Sequence, residues 1–375
     1  MQIDVEVRRN TNRTRPADKD LGFGKYFSDH MFLMDYEPPQ GWHHARVVPY
    51  GPLSMDPAAA VFHYGQAMFE GLKAFRGKDN VIRIFRLEQH CKRLVNGASR
   101  LCMPSPNESQ LREGLLALVD VDREWVPPSV GTALYIRPTL VATEAFLGVR
   151  PSARHTYFVI TSPVGAYYAE GLNPVKIWIE DRYVRAARGG LGAVKAGANY
   201  AASLLAAEEA KKKGYSQVLW LDASNHRELE EVGTMNLFVR FADEVVTPPL
   251  GGSILAGVTR DSVIQLLKDW GMKVSERPVT VDEVTEGHKT GRLLEVFGSG
   301  TAAVISPVGE LGWHDSKMVV GGGKVGELAH KLYDAITGIQ YGTQPDKHGW
   351  LTEVPHARAN GAADKPGAAG STARV

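Results

Sequence analysis

The sequence predicts an α/β protein in two parts, α+β in the smaller one, and three observations carry that reading. Short runs such as VIRIFR (81–86) and VKIWIE (175–180) alternate or stay apolar in the manner of strands. Amphipathic stretches with recognisable helix starts and stops lie among them. A stretch rich in Gly and Pro, VGAYYAEGLNP (164–174), interrupts the pattern and divides the strands into two series.

Taken in order, residues 1–22 are polar and charged and are expected to form a flexible arm. MQIDVEVRRN lacks the apolar core of a secretory signal, and Asp4, Glu6, Asp18 and Asp20 argue against a transit peptide. The smaller part is expected over 23–163. It holds the strand 81–86, a helix over 87–102 with Leu94, Ala98 and Leu101 on one face, and a helix through LREGLLALVDV that stops before Pro127-Pro128. Strands follow at LYIRPTLVA and HTYFVITSPV. Residues 164–175 are read as the interdomain loop. The larger part, 176–354, has strands at VKIWIE (from Val175), QVLWLDA, NLFVRFA and RLLEVF. One of its helices is expected from Asn199 as N-cap to Gly214. A second is expected from Thr259 to Gly271, burying Val263, Leu266, Leu267 and Trp270. Residues 355–375 are Ala, Gly, Pro and Ser with scarcely any large apolar group, and read as a disordered tail.

Composition narrows the function. The chain has 375 residues, 43% hydrophobic and 23% charged, with a net charge of +1, which points to neither nucleic acid nor a membrane as partner. No apolar run is long enough to span a bilayer. The two cysteines, Cys91 and Cys102, share one helical stretch about 16 Å apart, too far for a disulfide, and two thiols make no structural zinc site. A reducing cytoplasm is the compartment expected.

The segment with most chemical promise is RGGLGAVKAGANY (188–200), where four glycines surround Lys195 just ahead of a helix. Small neighbours let a flat ring approach the backbone, and a lysine in a partly dry cleft titrates low enough to act as a nucleophilic amine. Two places could hold a phosphate: the helix opening at AGVTR (256–260), and the Gly-rich turn FGSGTAA (297–303). FGSGTAA also matches G-x-G-x-x-A, the loose dinucleotide fingerprint, but Val304-Ile305-Ser306-Pro307 follows where a long helix would be required. GGGKVG (321–326) has the wrong spacing for a P-loop. The twelve histidines fall at no metal-ligand spacing, and His43-His44 is expected on a surface loop, so no metal is expected.

With these segments in view, the chain resembles the branched-chain amino-acid aminotransferases of the fold-type-IV pyridoxal-phosphate group. The resemblance runs from about Phe23 to about Val354 and rests on motifs in the family's order. They are FHYGQAMFEGLKAFRG (62–77), LYIRPTL (134–140), SPVGAYY (162–168), VKAGANY (194–200), EVGTMNLF (231–238), LAGVTR (255–260) and FGSGTA (297–302).

That resemblance implies transamination of L-leucine, L-isoleucine and L-valine with 2-oxoglutarate through a Lys195 Schiff base with pyridoxal 5'-phosphate. Lys195 would also shuttle the substrate proton. Glu231 would face the pyridine nitrogen and Tyr200 the phenolic oxygen. Arg93, with backbone groups of Val258, Thr259 and Thr301, would hold the phosphate; Arg suits the task because its planar fork meets phosphate oxygens in pairs. The substrate pocket would use Tyr64, Phe69, Tyr135, Tyr167 and Thr234. The α-carboxylate would meet Tyr64 and the N–H groups of Thr301 and Ala302, and Arg137 would read the distal carboxylate of glutamate. A homodimer with the site near the subunit interface is also implied. Ala303 and Ser306 stand where some family members carry Cys-x-x-Cys, so no redox switch is expected there. Two other readings stay open: a D-amino-acid aminotransferase or aminodeoxychorismate lyase on the same fold, and a non-enzymatic binding module on a degenerate scaffold.

Overall fold

The structure, a computed structural model, describes residues 1–7, 14–165 and 172–356. The first half contains β1 (Asp4–Val5), β2 (His30–Glu37), β3 (Gly41–Pro49), α1 (Ala60–Tyr64), β4 (Ala67–Phe69), β5 (Leu72–Arg76) and β6 (Ile82–Phe85). It continues with α2 (Leu87–Arg100), α3 (Glu108–Val121), β7 (Ala133–Ala142) and β8 (His155–Val164). The second half contains β9 (Val175–Glu180), α4 (Gly197–Lys212), β10 (Gln217–Leu221), β11 (Leu229–Val232), β12 (Met235–Phe241) and β13 (Val245–Thr247). After these come α5 (Val258–Asp269), β14 (Val274–Glu276), α6 (Val281–Thr290), β15 (Leu293–Gly300), β16 (Val304–Trp313), β17 (Ser316–Val319), α7 (Glu327–Gln340) and β18 (Leu351–Glu353).

The first sheet runs β1-β3-β2-β8-β7-β5-β6-β18, with β4 on β7, and its pairings are antiparallel apart from β1 on β3. The amphipathic helices α2 and α3 contribute to its core, where Leu94, Leu111, Leu115 and Leu118 pack with Phe32, Leu72 and Ile136. Asn107 starts α3 through a capping box: its side chain accepts from Gln110 N at 2.9 Å while Gln110 accepts from Asn107 N at 3.0 Å. This half is the α+β arrangement.

The second sheet runs β11-β10-β9-β16-β15-β12-β13-β14 and closes on itself, because β11 also pairs with β12. A closed ring leaves those strands no free edge. Parallel pairs need long crossovers, and here α4 connects β9 to β10 and α5 connects β13 to β14. One row of the ring fixes the later geometry. Glu231 pairs with Asn236, and Asn236 with Ser299, so the turns at 233–234 and 301–303 open at the same rim.

The halves meet across a shared core in which Phe75, Phe85, Tyr135 and Val164 of the first sheet pack with α5, α7 and Phe297. Arg86 crosses the same seam to Ser262 (2.9 Å) and Asp261 (2.5 Å) on α5.

Several expectations need correction. The N-terminal stretch 1–22 is no free arm where it is described: β1 adds to β3, the Met1 ammonium binds Glu113 at 2.7 Å, and Leu21 is fully buried. Gly197 begins α4 after Ala196, and Asn199 does not cap it, because its amide donates to the carbonyls of Leu191 (2.8 Å) and Val194 (2.9 Å). Gly257 precedes α5, so Thr259 lies inside its first turn. His43 and His44 are on β3 rather than in a loop. The helices α6 and α7 were not foreseen; a Thr280 cap and Gly291 bound the first. Glu295 accepts from Leu328 N and Ala329 N (both 3.0 Å), so its carboxylate covers the start of α7 beside GGGKVG. Half of the interdomain segment, 166–171, and the tail from 357 lie outside the described residues.

Candidate active site

Lys195 sits between β9 and α4 on a loop that is pinned from several sides. The Phe69 N–H donates to the Lys195 carbonyl at 3.1 Å, and Arg100 donates to the carbonyls of Gly189 (3.0 Å) and Gly190 (3.3 Å). Gly192 is required by close approach, since a Cβ there would come within 2.1 Å of the Ser253 carbonyl oxygen. The Lys195 side chain is half-buried, donates to the Tyr200 hydroxyl at 2.6 Å and lies 4.8 Å from the centre of the Phe69 ring. Burial, reinforced by the Arg93 guanidinium, pushes its pKa down to about 7. A substantial fraction is therefore the neutral, nucleophilic amine near neutral pH.

On β11, Glu231 is buried. It accepts from Leu255 N at 2.9 Å and lies 2.7 Å from Arg185 Nε, with Asn236 Nδ2 at 3.4 Å. Burial raises its carboxyl pKa and Arg185 opposes that rise. Burial also raises the pKa of the Tyr200 hydroxyl.

Arg93, on α2, is held by Glu70 through two hydrogen bonds of 2.7 and 2.9 Å, and donates to the Ala256 carbonyl at 3.0 Å. Glu70 also bonds His90 Nδ1 at 2.9 Å. The Arg93 and His90 partners keep the Glu70 carboxyl well below the carboxylate range against the opposing effect of its burial. Arg93 thereby faces the first turn of α5, which no side chain caps. A Cβ at Gly257 would fall 1.8 Å from Asn236 Oδ1, so the backbone there must be bare.

A cavity of about 430 Å³ joins these groups. Its lining includes Phe69, Arg93, Tyr135, Arg137, Lys195, Tyr200, Thr234, Val258, Thr259, Thr301 and Ala302. Glu231 is not on this wall. It lies in a small adjoining pocket that shares Tyr200, Thr234 and Leu255 with the cavity. The residues fit a pyridine ring with a phosphate arm. An amine is in the lining, a guanidinium and an open helix start can take the phosphate, and a buried carboxylate in the adjoining pocket can face a ring nitrogen. Ser299 Oγ, buried in the same lining, has no partner of its own.

The opposite wall comes from the first sheet. Phe23 meets Tyr135 edge-on at 5.0 Å, and Arg137 lies 4.5 Å from the Phe69 ring and 5.2 Å from the Tyr135 ring. Tyr135 needs Gly71, where a Cβ would come within 1.9 Å of its hydroxyl. Tyr64 is not brought to the cavity of its own chain; it is 42% exposed and donates to the Leu147 carbonyl. Tyr167 lies outside the described residues.

Sequence reasoning assigned no role to Phe23, Glu70, Lys73, His90, Arg185 or Asn236. Lys73 is a buried lysine on β5 whose Nζ donates to the Ala302 carbonyl at 2.7 Å, bracing the turn at 301–303, and burial pushes its pKa down to about 8. A lysine within an apolar strand motif, and a glutamate inside FEG, were the available signals. Cys91 is buried with its thiol pushed up to about 12 by that burial, while Cys102 is exposed; Ala303 and Ser306 offer no thiol beside Thr301.

Comparison with known proteins completes the picture. The family model described as amino-transferase class IV matches residues 67–311. A Bacillus subtilis protein named branched-chain-amino-acid aminotransferase 2 is 53% identical over 94% of this chain and 97% of its own length. A Mycolicibacterium smegmatis branched-chain-amino-acid aminotransferase is 47% identical over 94% and 98%. Among solved structures, the Escherichia coli branched-chain amino acid aminotransferase is 29% identical, with a TM-score of 0.73 over 88% of this chain and 100% of that one. The branched-chain amino acid aminotransferase of Thermobaculum terrenum, solved in its PLP form, is 24% identical and shares the fold, with a TM-score of 0.72 over 88% and 99%.

Proposed function

The chain belongs to the class IV amino-transferase family, and on that premise we propose a division of labour among its residues in branched-chain amino-acid transamination with pyridoxal phosphate. The observation that carries it is a half-buried amine whose pKa is lowered to about 7, lining a cavity with an arginine-flanked helix start and next to a buried carboxylate.

Bound pyridoxal phosphate supplies an electron sink for the pair left at the substrate Cα. Lys195 Nζ would hold the cofactor at rest and, once freed, would move the proton at the substrate Cα. Tyr200 orients that amine and borders the ring. Arg93 and the N–H groups of Val258 and Thr259 hold the phosphate, with Thr301 beside them. Glu231 faces the ring nitrogen. The Thr301 and Ala302 N–H groups receive the substrate carboxylate. Phe69, Tyr135 and Thr234 enclose the leucine, isoleucine or valine side chain, and Arg137 receives the distal carboxylate of glutamate or 2-oxoglutarate. An apolar wall alone would leave that charge unpaired at high cost.

A homodimer is part of this reading. Phe62, Tyr64, Leu147 and Val149 are 62, 42, 62 and 87% exposed, an apolar group that a second copy would cover. Tyr64 and Tyr167 belong to the proposed substrate pocket, Tyr64 from the second subunit. Cytoplasmic residence is supported by the use of both cysteines as free thiols.

The test is an amino-donor panel with 2-oxoglutarate. Leucine, isoleucine and valine should each give their 2-oxo acid with equimolar glutamate. Turnover of D-amino acids, with the branched L-amino acids inert, would favour the D-amino-acid aminotransferase reading instead.

A further inference from the structure

Arg185 has no part in the roles given so far, yet it touches three of the elements that build the site. Its side chain is 9% exposed, with Nε in ion-pair contact 2.7 Å from Glu231 Oε2 though not aligned as a hydrogen bond. Its terminal nitrogen donates to the Gly192 carbonyl at 2.8 Å and to the Ser253 carbonyl at 2.9 Å. One guanidinium thus joins the Lys195 loop, the strand that bears Glu231 and the segment leading to α5.

The electrostatic need at this point is specific. A buried carboxylate tends to take up a proton, and a protonated Glu231 could not leave a positive charge on a ring nitrogen beside it. The groups facing Glu231 are few. Leu255 N and Asn236 Nδ2 are neutral donors, and Tyr200 is a neutral hydroxyl. Glu230, the next residue, is buried and has the wrong sign; Ser253 Oγ binds one of its oxygens and the other has no partner. Arg93 is committed to Glu70, and Lys195 is engaged once the cofactor is bound. Arg185 is the cation in contact.

We propose that Arg185 is a positioning residue: it holds the Glu231 carboxylate ionised and aimed, and so decides that the proton shared with the ring nitrogen of a bound pyridine cofactor stays on that nitrogen. This rests on the reading that Glu231 faces the ring nitrogen. It extends that reading by assigning the charge that makes Glu231 effective. The ionised carboxylate attracts the N–H of the ring, whereas a protonated one would donate to a neutral nitrogen and the ring would lose its positive charge.

The experiment compares equilibrium binding of pyridoxal phosphate with that of its analogue in which a C–H replaces the ring nitrogen. The wild-type protein should prefer pyridoxal phosphate by about tenfold or more, the scale of a hydrogen bond to a charged group. R185Q should lose most of that preference, and R185K, which keeps the charge, should retain most of it. E231Q should lose it as well, and adding R185Q to E231Q should cost no further preference. In parallel, the pH at which the bound cofactor's visible band shifts should move in R185Q and stay in place in R185K. A merely structural arginine would weaken both ligands equally and leave their ratio alone. Retention of the wild-type ratio by R185Q while E231Q loses it would overturn the role of Arg185. Retention by E231Q would overturn the Glu231 reading, and this inference with it. Should R185Q fail to fold, R185K decides: loss of the preference in that variant contradicts a role that depends on charge.

Discussion

Arg93 and Arg137 line one cavity and are held in different ways. Arg93 has two hydrogen bonds to Glu70 and a third to the Ala256 carbonyl. Arg137 has one bond of 3.1 Å to the Tyr135 hydroxyl, lies against two aromatic rings, and its buried Nε has no partner. The contrast extends to their surroundings. Around the proposed cofactor, Glu231 and the Lys195 loop are tied by hydrogen bonds from distant parts of the chain. On the proposed substrate wall, Phe23, Phe69 and Tyr135 offer apolar faces and Arg137 Nε has no partner. A cofactor presents the same atoms in every cycle, so rigid tethering costs nothing in specificity. A pocket that alternates between an isobutyl group and a carboxylate needs a cation that can be engaged or left aside.

The difference can be pressed experimentally, beginning with the largest effect. Lys195→Ala should take leucine turnover below detection with little change in melting temperature, because the side chain's one hydrogen bond is to Tyr200; residual turnover would place the chemistry elsewhere. Glu70→Ala should lower stability by about 1–3 kcal/mol, since it removes both charge-assisted hydrogen bonds of half-buried Arg93, and it should weaken cofactor binding as well. Denaturant titration and cofactor titration read the two losses, and a loss in neither would mean that the Arg93 tether is dispensable. Arg137→Met should slow the glutamate half-reaction about ten- to a hundredfold and the leucine half-reaction much less, as followed by pre-steady-state conversion of the bound cofactor. Equal losses would show Arg137 to be as structural as Arg93. The smallest effect is on pH. With the Lys195 pKa lowered to about 7, the neutral amine grows as pH rises. Capture of added cofactor by the cofactor-free protein should therefore accelerate up to about tenfold between about pH 6 and 8. A flat stopped-flow profile would contradict a titrating amine.

How much of this was legible in the sequence follows the same division. Lys195 stood out because four glycines around a lysine make an unusual local context, and local context is what a sequence displays. The turn after FGSG and the start of α5 were visible for the same reason. The tethers were not. Glu70 lies 23 residues from Arg93, and Arg185 finds Glu231 because β10 pairs with both β9 and β11. Lys73 reads as an ordinary solvated residue of an alternating strand until the second half is seen to cover it. Asn199 looked like a helix cap because capping and loop-pinning use the same side chain; whether its amide donates or its oxygen accepts depends on the loop folded in front of it. Tyr64 appeared in a pocket motif, yet it is exposed and bonded to the Leu147 carbonyl outside the cavity, because a motif does not display where the 144–150 segment folds against it.

The central claim is that Lys195 is the residue to which the cofactor attaches. A second lysine of lowered pKa, buried Lys73, lies behind the 301–303 turn beside the site and would also suit nucleophilic attack. Reduction of the loaded protein with borohydride, followed by peptide mapping, separates the two. A pyridoxyl group is expected on the peptide bearing Lys195 and none on that bearing Lys73. A label on Lys73, or label persisting in Lys195→Ala, would contradict it.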